Sequence, residues 1–178
     1  MTRFVGIDPS TKTGLVILNE YGIVETQIEV LLKNGTHSTA TELQEYGREI
    51  AFYVNDHDVV CIEGFSFGSK GQGVSTQYGV GFAIRFALQD MGIRFLDPTP
   101  SQVKKFATGK GNTSKDNMVI PIFKTWKFEH ESDNVRDAFV LAQIARSVRT
   151  GVFTTKYQQE VIQAILGGNK DKKKSKAV

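Results

Sequence analysis

Apolar residues in the first third of the chain come in short runs or alternate with polar ones, whereas farther on they mostly return every three to four positions. Residues 3–8, 14–18 and 22–30 alternate or run apolar, with turn residues such as Asn19-Glu20-Tyr21-Gly22 between them. That pattern predicts three antiparallel strands in a meander. From about Thr39 to Asn55 the residues Leu43, Tyr46, Ile50 and Tyr53-Val54 recur at helical spacing, with Thr41 as a candidate cap. A buried strand follows at Val59–Glu63, then a glycine-rich loop from Gly64 to Gly73 and a helix over Val74–Met91 carrying Tyr78, Phe82, Ile84-Arg85-Phe86 and Leu88. Gly92-Ile93-Arg94-Phe95-Leu96 reads as a fifth strand. A short helix at Ser101–Phe106, a glycine-containing loop at Thr108–Thr113, a helix at Ser114–Trp126, a long helix at Asp133–Arg149 and a last short one at Thr154–Ile165 complete the prediction.

Strands followed by alternating helices and strands imply an α/β architecture, a mixed five-stranded sheet flanked by helices. With no internal repeat and no dividing linker in 178 residues, one domain spanning 1–168 is expected. Residues 169–178 hold five lysines and one aspartate, so the net charge of +3 sits in this basic, disordered tail and the body is close to neutral. The tail therefore speaks only weakly for a polyanionic partner. No apolar stretch approaches the roughly 20 residues needed to span a bilayer, and Met1-Thr2-Arg3-Phe4 enters a strand directly, so a soluble cytoplasmic protein without membrane attachment is expected. The single cysteine, Cys61, lies inside an apolar strand, which excludes a disulfide framework and a cysteine zinc site.

Acidic residues mark the ends of these elements. Asp8 closes Phe4-Val5-Gly6-Ile7, Glu63 closes Val59-Val60-Cys61-Ile62, and Asp133 and Asp137 open the late helix, four residues apart and so on one face. Two strand ends and one helix start can converge on a point, where carboxylates repel one another unless a divalent cation lies among them. A glutamate directly after an apolar run faces burial or a cleft, and unpaired burial is unfavourable. Three or four carboxylates supply the hard oxygen ligands that Mg²⁺ or Mn²⁺ prefers. Two such ions about 4 Å apart can acidify an attacking water and stabilise a leaving alkoxide in phosphodiester hydrolysis. Asp8 is the candidate bridging ligand, Glu63 belongs to one ion, and the Asp133/Asp137 helix end to the other.

The order of elements resembles the ribonuclease H-like superfamily, and the local sequences resemble the RuvC-type Holliday junction resolvases within it. Gly6-Ile7-Asp8-Pro9-Ser10, Ile62-Glu63 and Asp137-Ala138 are similar to the acidic motifs of that family. Thr99-Pro100-Ser101-Gln102-Val103-Lys104 and Gly109-Lys110-Gly111-Asn112-Thr113-Ser114-Lys115 are similar to its basic motifs. The likeness spans residues 3–149. It implies a ribonuclease H-like fold, a crossover junction endodeoxyribonuclease activity on branched DNA, two metal ions and a homodimer. It also implies a third acid or a histidine three residues before the final aspartate, where this chain has Asn134. Either Asp133 replaces that ligand or Asn134 binds the metal weakly, and Asp133 is favoured. The short chain, the lysine tail and Asn134 suit a phage-encoded branch of the family, acting in the host cytoplasm.

The resemblance further implies two functional lysines, matched here by Lys104 and Lys115, with Lys115 at a helix start as the candidate to neutralise a pentavalent phosphate. Lys70, Lys105, Lys110 and Arg136 are candidates for phosphate contacts. Phe65 and Phe67 in the glycine-rich loop are candidates to stack on unpaired bases at a junction, Phe67 being the one expected to be exposed. Gly79, Gly81 and Ala83 would allow close approach of a second helix, which in the resembled family makes a two-fold dimer. The alternatives are a nuclease of RNA–DNA hybrids or of branched DNA broadly, a junction-binding protein with a disabled site, and an actin-like ATPase suggested by Asp8-Pro9-Ser10-Thr11-Lys12-Thr13-Gly14.

Overall fold

Side-chain alternation along the first strand builds two hydrophobic cores, one on each face of a central sheet. A computed structural model describes residues 1–66 and 73–174. Its strands are β1 (Phe4–Asp8), β2 (Lys12–Leu18), β3 (Val24–Leu31), β4 (Val59–Ile62) and β5 (Phe95–Leu96), in the order β3-β2-β1-β4-β5. β1, β2 and β3 pair antiparallel, while β4 runs parallel to β1 and β5 parallel to β4. Val5 and Ile7 join Leu15, Ile17, Val60 and Ile62 in one core, under α1 (Ala40–Ala51) and α2 (Val74–Asp90). Phe4 joins Val16, Leu18 and Cys61 in the other, under α3 (Pro100–Thr108), α4 (Val119–Trp126), α5 (Asp133–Thr150) and α6 (Lys156–Lys174). Central strands buried on both faces read as continuous apolar runs, which is why β1 and β4 stood out in the sequence.

The long helix α5 lies almost on the backbone of β1 and β2. A Cβ on Gly6 would stand 1.9 Å from the Ala138 carbonyl oxygen, and one on Gly14 would stand 2.1 Å from the Asn134 carbonyl oxygen. Glycine at these positions sets the depth at which the start of α5 meets the strand ends. On the opposite face, Gly47 of α1 meets the backbone of Ala83 in α2, and Gly81 accepts the ring of Phe65. The small residues of α2 thus serve packing within the chain.

Several boundaries differ from those predicted, each for a local reason. The cap of α1 is Thr39, not Thr41. Thr39-x-x-Glu42 forms a reciprocal capping box, and it precedes the equally plausible Thr41-x-x-Gln44. The helix stops at Ala51, and Asp58 accepts hydrogen bonds from the Asn55 amide and the Arg3 guanidinium, turning the chain into β4. Gly92, with φ of +73°, closes α2 rather than opening β5, since the Ile93 amide returns to the Leu88 carbonyl. Residues 114–126 divide into a 3-10 turn at Asp116–Met118 and α4, because Pro121 lacks the amide that would bond one turn back. Beyond residue 168, where the basic tail was expected to begin, α6 continues to Lys174 without a break, in keeping with the good helix propensity of lysine.

Gly6→Ala is expected to force α5 away from the sheet and to destabilise the protein by about 1–3 kcal/mol or more, the range for overpacked cores. Urea unfolding measures this, and a midpoint equal to that of the wild type would show that α5 is not seated as described.

Candidate functional site

The register of β1 and β4 places Asp8 beside Glu63. Gly6 pairs with Cys61 and Ile7 with Ile62, and the Glu63 amide donates to the Ile7 carbonyl, so residues 8 and 63 are the next neighbours across the parallel pair. Alternation then decides the face. Phe4 and Cys61 belong to the core beneath α5, so Asp8 and Glu63, at the same parity, point to the α5 side. There α5 begins, capped by the Ser132 hydroxyl, which accepts from the Val135 amide and itself donates to the Glu29 carboxylate. Asp133 and Asp137 follow on its first turns.

Asp8 and Asp137 are almost wholly buried, Glu63 is half-buried and Asp133 is half-exposed. Burial, then the charges of Glu63 and Asp137, push the Asp8 carboxyl well above the usual carboxylate range. Burial, then Asp137, raises Glu63 from 4.5 to about 7, while Lys115 and Lys104 pull the other way and Asp8 shares a hydrogen bond with it. Asp137 is raised by burial against the pull of Lys115. Asp133 is lowered, chiefly by its hydrogen bond with Lys115. The Lys115 ammonium lies 2.8 Å from Asp133 Oδ2 and 3.2 Å from Asp137 Oδ2. Burial disfavours its charge, but these partners and Asp8 more than compensate, so its affinity for the proton rises.

Among the described residues, no group of three or more His, Cys, Asp or Glu side chains is drawn together ready to hold a metal ion. The chemistry of the donors nevertheless fits a hard divalent cation. Four carboxylates share the field of one ammonium, and Asp8, Glu63 and Asp137 hold protons more tightly than free acids chiefly because they are buried.

The other candidates divide. Lys104 acts on Glu63 from the next helix, whereas Lys105 pairs with Glu160 of α6 at 3.1 Å. Arg136 donates to the carbonyls of His130 and Glu131, bracing the turn before α5. Asn134 donates its side-chain amide to the Lys12 carbonyl, tying α5 to β2. Lys110 lies exposed in the loop after α3. Phe65 packs on Phe82 and Tyr78 with ring centroids 4.7 and 5.2 Å away, an anchor on α2 rather than a free stacking platform. Phe67 and Lys70 lie outside the described residues.

Two supporting residues were not singled out in the sequence. Arg85, buried in α2, donates to the Glu63 carbonyl at 2.8 Å and stacks its guanidinium 4.3 Å from the Phe65 ring centroid. A charged residue between Ile84 and Phe86 was the available signal. Tyr46 of α1 donates its hydroxyl to the Val30 and Ser10 carbonyls and accepts from the Thr13 amide, holding the loop that leaves Asp8. Nothing local marked it apart from an ordinary core tyrosine.

No family model matches the chain. Among curated proteins it is similar to the crossover junction endodeoxyribonuclease RuvC of Campylobacter concisus, 27% identical over 147 residues that cover 79% of this chain and 93% of that protein. The RuvC of a Sulfurovum species is likewise 27% identical over 149 residues, covering 79% and 92%. Thermus thermophilus RuvC shares the fold, with a TM-score of 0.63 and 18% identity over 84% of this chain and 96% of that one. The same protein in complex with a Holliday junction substrate aligns with a TM-score of 0.64 and 17% identity, covering 85% and 97%. By sequence and by fold the chain is similar to RuvC. The mixed five-stranded sheet flanked by helices that the sequence predicts is the one found.

Repulsion among these carboxylates bears on stability. The unfolded chain gives up the Glu63 proton near 4.5 while the folded protein keeps it to about 7, so without metal, stability should fall as pH rises through that window. Glu63→Gln, which removes the charge and keeps the shape, should stabilise the chelator-treated protein at pH 8 by on the order of 2 kcal/mol, or roughly 4–8 °C in Tm. The gain should vanish near pH 4. Thermal unfolding across pH checks this, and an unchanged or lower Tm at pH 8 would contradict it.

Proposed function

We propose that this chain is a structure-selective endonuclease that resolves Holliday junctions and related branched DNA by metal-dependent phosphodiester hydrolysis. The observation that carries the reading is the convergence of Asp8, Glu63, Asp133 and Asp137 on one corner with a lysine among them, in a chain that resembles RuvC over most of its length. The relative with a bound Holliday junction supports the choice of substrate. No described helix is long and apolar enough to cross a membrane, as suits a DNA-processing protein.

Asp8, Glu63, Asp137 and Asp133 would hold Mg²⁺ or Mn²⁺, two ions per site, which supply an acidified water and charge stabilisation at the leaving oxygen. The chain's own groups do the rest. Asp8 is held by β1 and by the Tyr46 clamp on the loop behind it. Arg85 fixes the backbone of Glu63 through its carbonyl. Lys115 brings a positive charge to the negative phosphate as it gains a fifth oxygen, and Lys104 adds a second from the neighbouring helix. Lys110 on its exposed loop is placed to meet DNA phosphates farther out. Lys105 and Arg136, occupied by Glu160 and by backbone carbonyls, would do so only on leaving those partners.

A four-way junction presents two equivalent strands, which suits a two-fold assembly. Phe82 and Phe86 of α2 are exposed and border a shallow groove between α1 and α2 that also includes Leu43. A second copy of the chain is the proposed occupant.

Purified protein is expected to cut a synthetic four-way junction only with a divalent ion, and faster than flaps, replication forks or RNA–DNA hybrids. Asp8→Asn should still bind the junction while cleavage drops by several orders of magnitude, as for loss of a carboxylate that would hold the metal. No cleavage under any divalent ion with binding intact would reject the reading, and unaltered turnover in the variant would remove Asp8 from the mechanism. Phe86→Glu should convert a dimer to a monomer in light scattering. A wild type that is monomeric at all concentrations would contradict the proposed pairing.

A further inference from the structure

Lys115 is the only positive group seen in ion-pair contact with the acidic corner among the described residues, and its placement carries more than a role in neutralising phosphate. It leaves the chain at the cap of the short 3-10 turn Asp116–Met118, outside any long element. From there its ammonium reaches two carboxylates on successive turns of α5 at once, through Oδ2 of each. Both atoms belong to the half of the corner assigned to the second metal ion. The lysine side chain and that of Asp133 are each 45% exposed, while that of Asp137 is 10% exposed. The ammonium therefore has solvent on one side and a buried carboxylate on the other. A compact point charge on a flexible four-carbon stem holds such a place without the fixed fork of an arginine, and can leave by rotating its own bonds.

We propose that Lys115 is an exchangeable internal counter-ion, whose ammonium occupies the Asp133–Asp137 pair in the metal-free protein and is displaced toward solvent and DNA when a divalent ion binds there. The inference rests on the metal-dependent reading of the site. The charge balance makes the exchange follow. One ammonium offsets only part of four carboxylates, whereas divalent ions at the same oxygens would offset them and repel the lysine from its seat. Arg136, which adds positive charge near Asp137, and Lys104, which does so near Glu63, strengthen that repulsion. In the metal-free state Lys115 ties the 3-10 turn to the first turns of α5. Once displaced, the same charge is free to meet a phosphate, so the protein offers its lysine to DNA only when the metal is in place.

Pulsed acylation of the full-length protein with an N-hydroxysuccinimide ester, read at each lysine by mass spectrometry, tests the exchange without reference to activity. In chelator, Lys115 should react slowly while the exposed Lys33 and Lys124 react at ordinary rates. At a Mg²⁺ concentration that saturates the shift in Tm, Lys115 should react about fivefold faster or more, the factor expected for loss of a modest ion pair, with Lys33 and Lys124 unchanged. Asp133→Asn should raise the Lys115 rate in chelator and reduce its response to Mg²⁺. A Lys115 rate that stays constant or falls while Tm reports metal binding would overturn the exchange but leave the metal site standing. Absence of any Tm shift with Mg²⁺ or Mn²⁺ would overturn the metal reading and the exchange with it.

Discussion

Repulsion among buried carboxylates is the constraint around which this fold is arranged. Asp8 and Glu63 are neighbours across a parallel strand pair, Asp137 faces them from α5, and all three hold protons more tightly than free acids do because burial and mutual charge oppose ionisation. A fold that served only its own stability would place amides or apolar groups there. Their presence is a cost to the fold of the kind found where function needs an unfavourable arrangement.

The scaffold counters that repulsion by geometry. Gly6 and Gly14 remove the side chains that would keep α5 off the sheet, so the helix start is pressed onto the strand ends. Asn134 pins α5 to β2 through the Lys12 carbonyl, and Ser132 and Arg136 order the turn that leads in. Behind the strands, Tyr46 and Arg85 hold the backbone on either side of the acids from the opposite layer. Asn134, where the resemblance implies an acid or a histidine, thus has a structural task of its own, with Asp133 one position earlier engaged by Lys115.

Much of this could be read in the sequence because it is local. Apolar runs bounded by turn residues marked β1, β2 and β4, and the acids closing β1 and β4 marked where a site could form. Whatever depended on distant partners was harder to read. Gly92 looked like the start of a strand because its amide neighbours bond back into α2, and Thr41 looked like a cap because nothing local ranked it below Thr39. Arg85 and Tyr46 gain their meaning from residues 22 and 36 positions away. Phe65 drew notice as an aromatic beside an acid, yet the void left by Gly81 makes it an anchor on α2.

The account stands on a cation shared by side chains from β1, β4 and α5. Anomalous scattering from crystals soaked in Mn²⁺ measures this directly. The account predicts manganese peaks within coordination distance of Asp8, with Glu63 contacting one ion and Asp137 another. Peaks confined to other surfaces, or none at full soak concentration with these carboxylates well ordered, would contradict it.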